Sequence, residues 1–221
     1  MSQDLFGRSA NRGECVQVCR RSYEIKDSEG RELKLKNKTV MSAKDLCTLP
    51  FIEKLKKAGI TSFKIEGRNR DPRYVDTVVR IYRKALDKKL TKEEIKESLK
   101  ELEKVYTKGF SSGFYLGVPT SDDFSNEEHS KATERKEFVG KIIHYYPKAN
   151  VGTVLIIDNG LKVGDEICII GKTTGIEKIK IESLEIKNKK INSVKKGQEV
   201  GLKLPRVRKN DEVYLIRKNK K

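Results

Sequence analysis

Gly7-Arg8-Ser9-Ala10-Asn11-Arg12-Gly13-Glu14-Cys15-Val16-Gln17-Val18-Cys19-Arg20, answered by Asp45-Leu46-Cys47, holds three of the chain's four cysteines. Thiolates gathered this way in a cysteine-poor chain point to a metal or iron–sulfur site more than to a disulfide framework. Zinc takes four thiolates, or thiolates with histidine, at short paired spacings, and Cys-x3-Cys is looser than the usual pair. Only His129 and His144 could complete a zinc set, and neither has a histidine or cysteine close by. Iron–sulfur clusters also want about four thiolates, so Cys15, Cys19 and Cys47 imply a fourth from elsewhere. The bland alternative is three ordinary buried thiols. Cys168, inside Glu166-Ile167-Cys168-Ile169-Ile170, reads as a core residue.

Arg8, Arg12, Arg20 and Arg21 surround the cysteines. Their charge would stabilise thiolates or hold the phosphates of a nucleic acid; a solvated basic loop would look the same. Ile65-Glu66-Gly67-Arg68 sets an acid and an arginine at the end of a short predicted strand. Chemistry in α/β barrels sits at such strand ends. There Glu66 could act as a base or hold Arg68 for an anionic substrate; a surface turn is the plain reading. Lys108-Gly109-Phe110-Ser111-Ser112-Gly113-Phe114-Tyr115 mixes aromatics with glycines. It could stack bases, but packing of a connector is the plainer reading.

These residues need elements to position them. Tyr23–Ile25 and Leu33–Leu35 read as a hairpin across Ser28-Glu29-Gly30. Pro50 through Ala58, with Gly59 behind, reads as a helix with proline in its first turn. Thr61–Glu66 follows as a short strand, giving the rhythm of an α/β layer. Tyr74, Val75, Val78, Val79, Ile81, Tyr82 and Ala85 repeat at helical spacing. Thr91 and Glu94 open a further helix through a capping box. After Phe138 the texture changes to short apolar strands: Lys141–Tyr146, Gly152–Ile157, Glu166–Ile170, Ile176–Ile186, Glu199–Leu204 and Asp211–Ile216. The turns between them carry Gly, Asn and Asp, which argues a six- or seven-stranded antiparallel barrel. The expected division is 1–105, an α/β part bearing the cysteines; 106–135, a connector; and 136–221, a small β-barrel with a basic tail, Arg217–Lys221.

The chain has 221 residues, 37 % of them charged, and a mean hydropathy of −0.66. Its longest apolar runs fall far short of the ~20 residues that span a bilayer. No charged-then-apolar leader is visible, and the cysteine usage suits a reducing cytoplasm. The formal net charge is +17; residues 136–221 hold 20 Lys and Arg against 10 Asp and Glu, an excess of ten, and residues 1–135 hold the other seven. That balance favours a polyanionic partner, most often nucleic acid, against the bland alternative of a compositional bias toward Lys and Glu.

Gly7 through Cys15 and Cys19-Arg20, Lys44-Asp45-Leu46-Cys47, Ser62-Phe63-Lys64-Ile65-Glu66-Gly67-Arg68, Tyr74 through Ala85, and Gly109 through Tyr115 together resemble the collagenase-like U-32 peptidase family in order and spacing. Val139-Gly140-Lys141 through Pro147 and Gly160 through Asp165 resemble that family's C-terminal barrel, itself similar to the second domain of elongation factor Tu. The resemblance implies the last strands and helices of a TIM-like α/β barrel followed by the small antiparallel barrel, an α+β whole. It implies either a peptidase or an RNA hydroxylation protein that needs an iron–sulfur cluster and prephenate. Carried over, Cys15, Cys19 and Cys47 match family cysteines, and Glu66 and Arg68 match the Glu-Gly-Arg segment; Val18 replaces a usual proline. The family's acidic–aromatic signature, further cysteines and most barrel strands would lie ahead of Met1.

The leading expectation is therefore part of an enzyme that hydroxylates a tRNA uridine. Its partners would be tRNA or other RNA and a polypeptide carrying the missing N-terminal barrel half. Its cofactor would be a [4Fe–4S] cluster with the fourth ligand outside this chain, and the chain alone would be inactive. A collagenase-like peptidase and a non-catalytic RNA-binding module are the alternatives.

Overall fold

A computed structural model of the chain describes residues 2–21, 23–32, 41–68, 70–125 and 130–219. Two compact units divide at Ala132 and Thr133. Helix and sheet are both present, and the sheet is mostly one large antiparallel assembly in the second unit.

In the first unit, α1 (Ser2–Phe6) precedes an irregular segment with single 3-10 turns at Ala10–Arg12 and Val18–Arg20. The expected hairpin is represented by its turn: Lys26 bridges Glu32, and Gly30 N–H donates to Asp27 O at 3.1 Å. Leu33–Leu35, its second arm, lies outside the described residues. Strand β1 (Asp45–Leu46) pairs in parallel with β2 (Phe110–Ser111). Helix α2 (Ile52–Lys57) follows a 3-10 turn holding Pro50, and Gly59 behind it takes φ +79°, a left-handed conformation that glycine adopts without Cβ strain.

Helix α3 (Pro72–Asp87) starts where Asp71 accepts Arg73 N–H at 2.8 Å, with proline tolerated in the first turn because its missing N–H would have had no partner. Helix α4 (Lys92–Leu102) carries the full Thr91/Glu94 capping box. Leu49, Ile52, Val78, Ile81, Ala85 and Leu102 are buried together between these helices.

Two sequence expectations change here. Thr61–Glu66 forms no strand: Phe63 and Ile65 turn toward the core and their neighbours outward, as in a strand, but no ladder forms. A strand exists only where another offers its backbone, and among the described residues of this unit β1 and β2 pair as strands, beside the isolated bridges Lys26–Glu32 and Ala43–Phe124. The expected connector, 106–135, is tied down in parts of its described stretches. Phe110–Ser111 joins β1, Ser125 N–H reaches Ser42 O at 2.7 Å, and Lys131 N–H reaches Thr107 O at 2.6 Å, so these pieces close back on the first unit.

The second unit contains β3 (Glu134–Tyr146), β4 (Val151–Ile156), β5 (Leu161–Lys162), β6 (Glu166–Gly171), β7 (Gly175–Lys180), β8 (Leu184–Ile186), β9 (Lys189–Ile191), β10 (Ser193–Val194), β11 (Glu199–Lys203) and β12 (Glu212–Lys218). Eight of them form one sheet in the order β7-β6-β12-β3-β4-β11-β8-β9, and β10 pairs with β5 separately. The strand count exceeds the six or seven expected. Ile176–Ile186 is two strands rather than one, because Ile181 N–H bonds Asp165 O and Ile181 O accepts from Gly164 N–H before the chain changes neighbours.

That break reveals the curvature. β7 ends one edge of the sheet and β8 lies near the other, yet Lys180 and Leu184 are so close in sequence that their Cα atoms are at most about 14 Å apart. The sheet must roll to bring its ends together. β3 does the rolling: its first half pairs with β12 and its second with β4, with register shifts in both ladders. Val139, Ile142, Val154, Ile167, Val200 and Val213 fill the interior, and Cys168 is fully buried in β6.

Candidate functional site

The first unit holds a cleft of about 780 Å³. β1 forms one wall. Its place is fixed by Asp45 N–H donating to Gly109 O and Cys47 N–H to Ser111 O, both at 2.9 Å. The Asp45 carboxylate accepts Lys108 N–H at 2.8 Å through Oδ2 and faces the Arg70 guanidinium at 3.6 Å through Oδ1. Helix α3 supplies the opposite wall through Tyr74, Val79 and Tyr82.

Arg70 is the most constrained cation of the cleft. Its side chain is 18 % exposed. Its guanidinium lies 3.8 Å over the ring of Tyr106 and 5.2 Å from that of Tyr74. Arg20 Nη1 donates to the Tyr106 hydroxyl at 3.1 Å, so one tyrosine joins two arginines. Arg20 is held by the turn Val18–Arg20, whose Val18 is buried and whose carbonyl accepts the Tyr23 hydroxyl at 2.5 Å. The cleft's cations are Arg20, Lys44, Lys64, Arg70 and Arg83, and its carboxylates are Asp45 and Glu66. The lining is therefore cationic on balance, with tyrosine faces among the charges.

Of the four arginines singled out by sequence, Arg20 alone lines this cleft; Arg8, Arg12 and Arg21 are exposed, Arg21 over the Phe6 ring at 5.3 Å. Glu66 lines the cleft, whereas Arg68 does not. The two pair with each other: Glu66 accepts Arg68 N–H at 2.7 Å and stands 3.5 Å from its Nε. That backbone hydrogen bond, with the guanidinium adding to it, holds the Glu66 carboxyl below the usual carboxylate range. A carboxylate so engaged is a poor base.

Cys19 lines the cleft and is half-buried; Cys15 is half-buried and its Sγ accepts Gln17 N–H at 3.3 Å. Cys47 is buried, and burial pushes its thiol up. The expected convergence of these thiols is not found. Among the described residues, no group of three or more His, Cys, Asp or Glu side chains is arranged to hold a metal ion. The physical reason is local: Cys47, just past β1, is buried and accepts from the Tyr82 hydroxyl, while Cys15 lies in an irregular stretch where its Sγ accepts Gln17 N–H. The donor set for an iron–sulfur cluster is thus not assembled by these residues as they stand. His129 lies outside the described residues, and the His144 ring lies tilted against that of Tyr146 in the second unit, centroids 4.3 Å apart.

Sequence reasoning passed over Arg70, Tyr106 and Asp45. Asp45 stood beside Cys47 and Arg70 two positions beyond Arg68, but the signal that unites them is spatial: Tyr106 comes from beyond α4.

The model of peptidase family U32 matches residues 1–125. A collagenase of Porphyromonas gingivalis (strain ATCC BAA-308 / W83) is 38 % identical over 211 residues, 93 % of this chain and 51 % of that protein. The tRNA hydroxylation protein P1 of Bacillus subtilis (strain 168) is 34 % identical over 180 residues, 77 % of this chain and 42 % of that protein. A crystal structure of the C-terminal domain of a putative U32 peptidase from Geobacillus thermoleovorans matches with a TM-score of 0.33 at 23 % identity, covering 38 % of this chain and 93 % of that one. The chain spans about half the length of the collagenase it matches. With more than half of its residues under the family model, the chain belongs to peptidase family U32.

Proposed function

We propose that this chain is part of an RNA-modifying enzyme that takes part in hydroxylating a tRNA uridine. The observation that carries the reading is the cleft: five cations against two carboxylates, interleaved with tyrosines, in a chain of net charge +17. The likeness to a tRNA hydroxylation protein supplies the reaction type. In this reading the first unit is the last portion of a TIM-like barrel, the second resembles the second domain of elongation factor Tu, and a polypeptide with the remaining barrel strands docks beside the first unit. An iron–sulfur cluster then forms only where donors outside this chain join Cys15, Cys19 and Cys47. We place the work in the cytoplasm, where tRNA is met; among the described residues no helix is long and apolar enough to cross a membrane.

A collagenase-like peptidase is the second reading. It is favoured by one observation, the longer stretch of this chain that aligns with the collagenase. Deleting the gene and analysing tRNA nucleosides by mass spectrometry separates the two. Loss of 5-hydroxyuridine derivatives, restored by the gene, is expected. Their persistence together with lost cleavage of a collagen-type substrate would put the peptidase first.

A further inference from the structure

The arrangement of Arg20, Tyr106 and Arg70 goes further than a general basic surface. A guanidinium presents five N–H donors in its plane. With the Tyr106 ring 3.8 Å from one face, Arg70 keeps its in-plane donors for a ligand. Its contact with Asp45, at 3.6 Å, is longer than a normal hydrogen bond, and that carboxylate already accepts Lys108 N–H. Arg20 donates to the hydroxyl of the same tyrosine and lines the same cleft. Two arginines fixed before any ligand arrives lose little side-chain freedom on binding, and their fork geometry suits a phosphate.

The same cleft ends in an aromatic loop. Tyr115 is 53 % exposed and lines it, with its ring 5.7 Å from that of Phe51; Phe114 beside it is 80 % exposed. Large rings exposed to this degree leave area open to a flat partner.

We infer that the cleft binds one unstacked nucleotide of a single-stranded RNA segment, with Arg20 and Arg70 on a backbone phosphate and the base on Tyr115. The inference rests on the RNA-modifying reading and deepens it by naming the contacts. It replaces Arg68, which is engaged with Glu66 at the surface, by Arg70 as the arginine that meets the anion.

The test is fluorescence anisotropy of a short fluorescein-labelled oligouridylate with the whole 221-residue chain, measured across a salt series. Arg20→Met and Arg70→Met are each expected to weaken binding about tenfold and to lower the salt slope by about one. Tyr115→Ala is expected to weaken binding about tenfold with the salt slope unchanged, since stacking releases no counterion. Arg70→Lys, which keeps charge and bulk, should retain the slope, so a loss in Arg70→Met cannot be charged to misfolding. Arg31→Met, in the exposed turn, serves as the control. Competition by uridine monophosphate should exceed that by inorganic phosphate; equal competition would reduce the cleft to a plain oxyanion site and overturn the nucleotide assignment. Unchanged affinity in Arg70→Met and Tyr115→Ala would overturn it altogether. Binding that depends on these residues while 5-hydroxyuridine derivatives persist in the deletion strain would keep this site and sink the tRNA-hydroxylation reading instead.

Discussion

The Tyr82 hydroxyl of helix α3 donates to Cys47 Sγ at 3.7 Å and accepts Thr48 N–H at 3.0 Å, so one phenol fastens α3 to the end of β1. The residue pair joins the helix that walls the cleft to a candidate cluster thiol just past β1. Burial pushes the phenol up to about 12, which keeps it a neutral donor throughout the physiological range. Tyr82→Phe removes that link and leaves Thr48 N–H without its acceptor. We expect a loss of about 1–2 kcal/mol, read from urea unfolding. The same variant should speed modification of Cys47 by a thiol reagent. In the native protein Cys15 and Cys19 should react first, and Cys47 and Cys168 only slowly, because both are buried.

Iron follows from the scattered thiols. Cluster assembly needs about four donors around one small volume, and no three described donors meet. Anaerobic reconstitution of the isolated chain with iron and sulfide should therefore leave substoichiometric iron after desalting, and Cys47→Ser should not change it. Stoichiometric iron with a thiolate-to-iron absorption band, lost in Cys47→Ser, would show that the thiols rearrange around a cluster without a second polypeptide.

What the sequence made legible was local. The Thr91/Glu94 box, the glycine behind α2 and the apolar stripe of α3 each depend on residues within a turn or two, and each is present. The strand reading of Thr61–Glu66 failed because alternation describes a half-buried extended chain, while a strand also needs a neighbour. β3 begins at Glu134, earlier than its apolar pattern suggests, since Glu134–Glu137 is polar and is recruited by the ladder with β12 and by Arg135 and Arg217 around Glu137. The site was half visible for the same reason. Arg20, Cys19 and Glu66 stood in recognisable runs, but Arg70 acquires its role from Tyr106, a contact that no local pattern encodes.

Gly140 tests how the sheet rolls. It lies where β3 passes from β12 to β4, and a Cβ built there would sit 1.8 Å from Leu155 O. Backbone cannot yield as a side-chain tip can, so Gly140→Ala must part the β3–β4 ladder. We expect a loss of about 3 kcal/mol or more from the second unit, with early tryptic cleavage of β3. Gly201→Ala is the comparison: its nearest atoms would be 3.5 and 3.6 Å away, ordinary contact, and its effect should be small. Equal effects in the two variants would mean that the close passage at Gly140 is not what fixes the curve.

Glu94 is one of several carboxylates of the first unit, with Asp4, Glu66, Asp87 and Asp123, that are held below their ordinary range. Its carboxylate accepts from Lys88 at 2.7 Å and from Thr91 N–H at 3.0 Å, and Lys84 lies 3.3 Å away. Lys88 first, then the Thr91 amide, then Lys84 lower its pKa from 4.5 to about 2. The lowered value means that the folded chain releases this proton more readily than the unfolded one. The stabilisation is therefore complete above pH 4.5 and drains away as pH falls toward about 2. Glu94→Gln keeps the shape of the cap but has no charge to lose. Its melting temperature should start lower at neutral pH and fall less steeply through the acid range, the two curves drawing together near pH 2. Because the group is near solvent, salt should narrow the gap between the curves. Thr91→Ala, which removes the reciprocal half of the box, should cost about 1 kcal/mol at neutral pH. Parallel melting curves for the native chain and Glu94→Gln from neutral to acid pH would show that this carboxylate adds nothing to the acid sensitivity of α3 and α4.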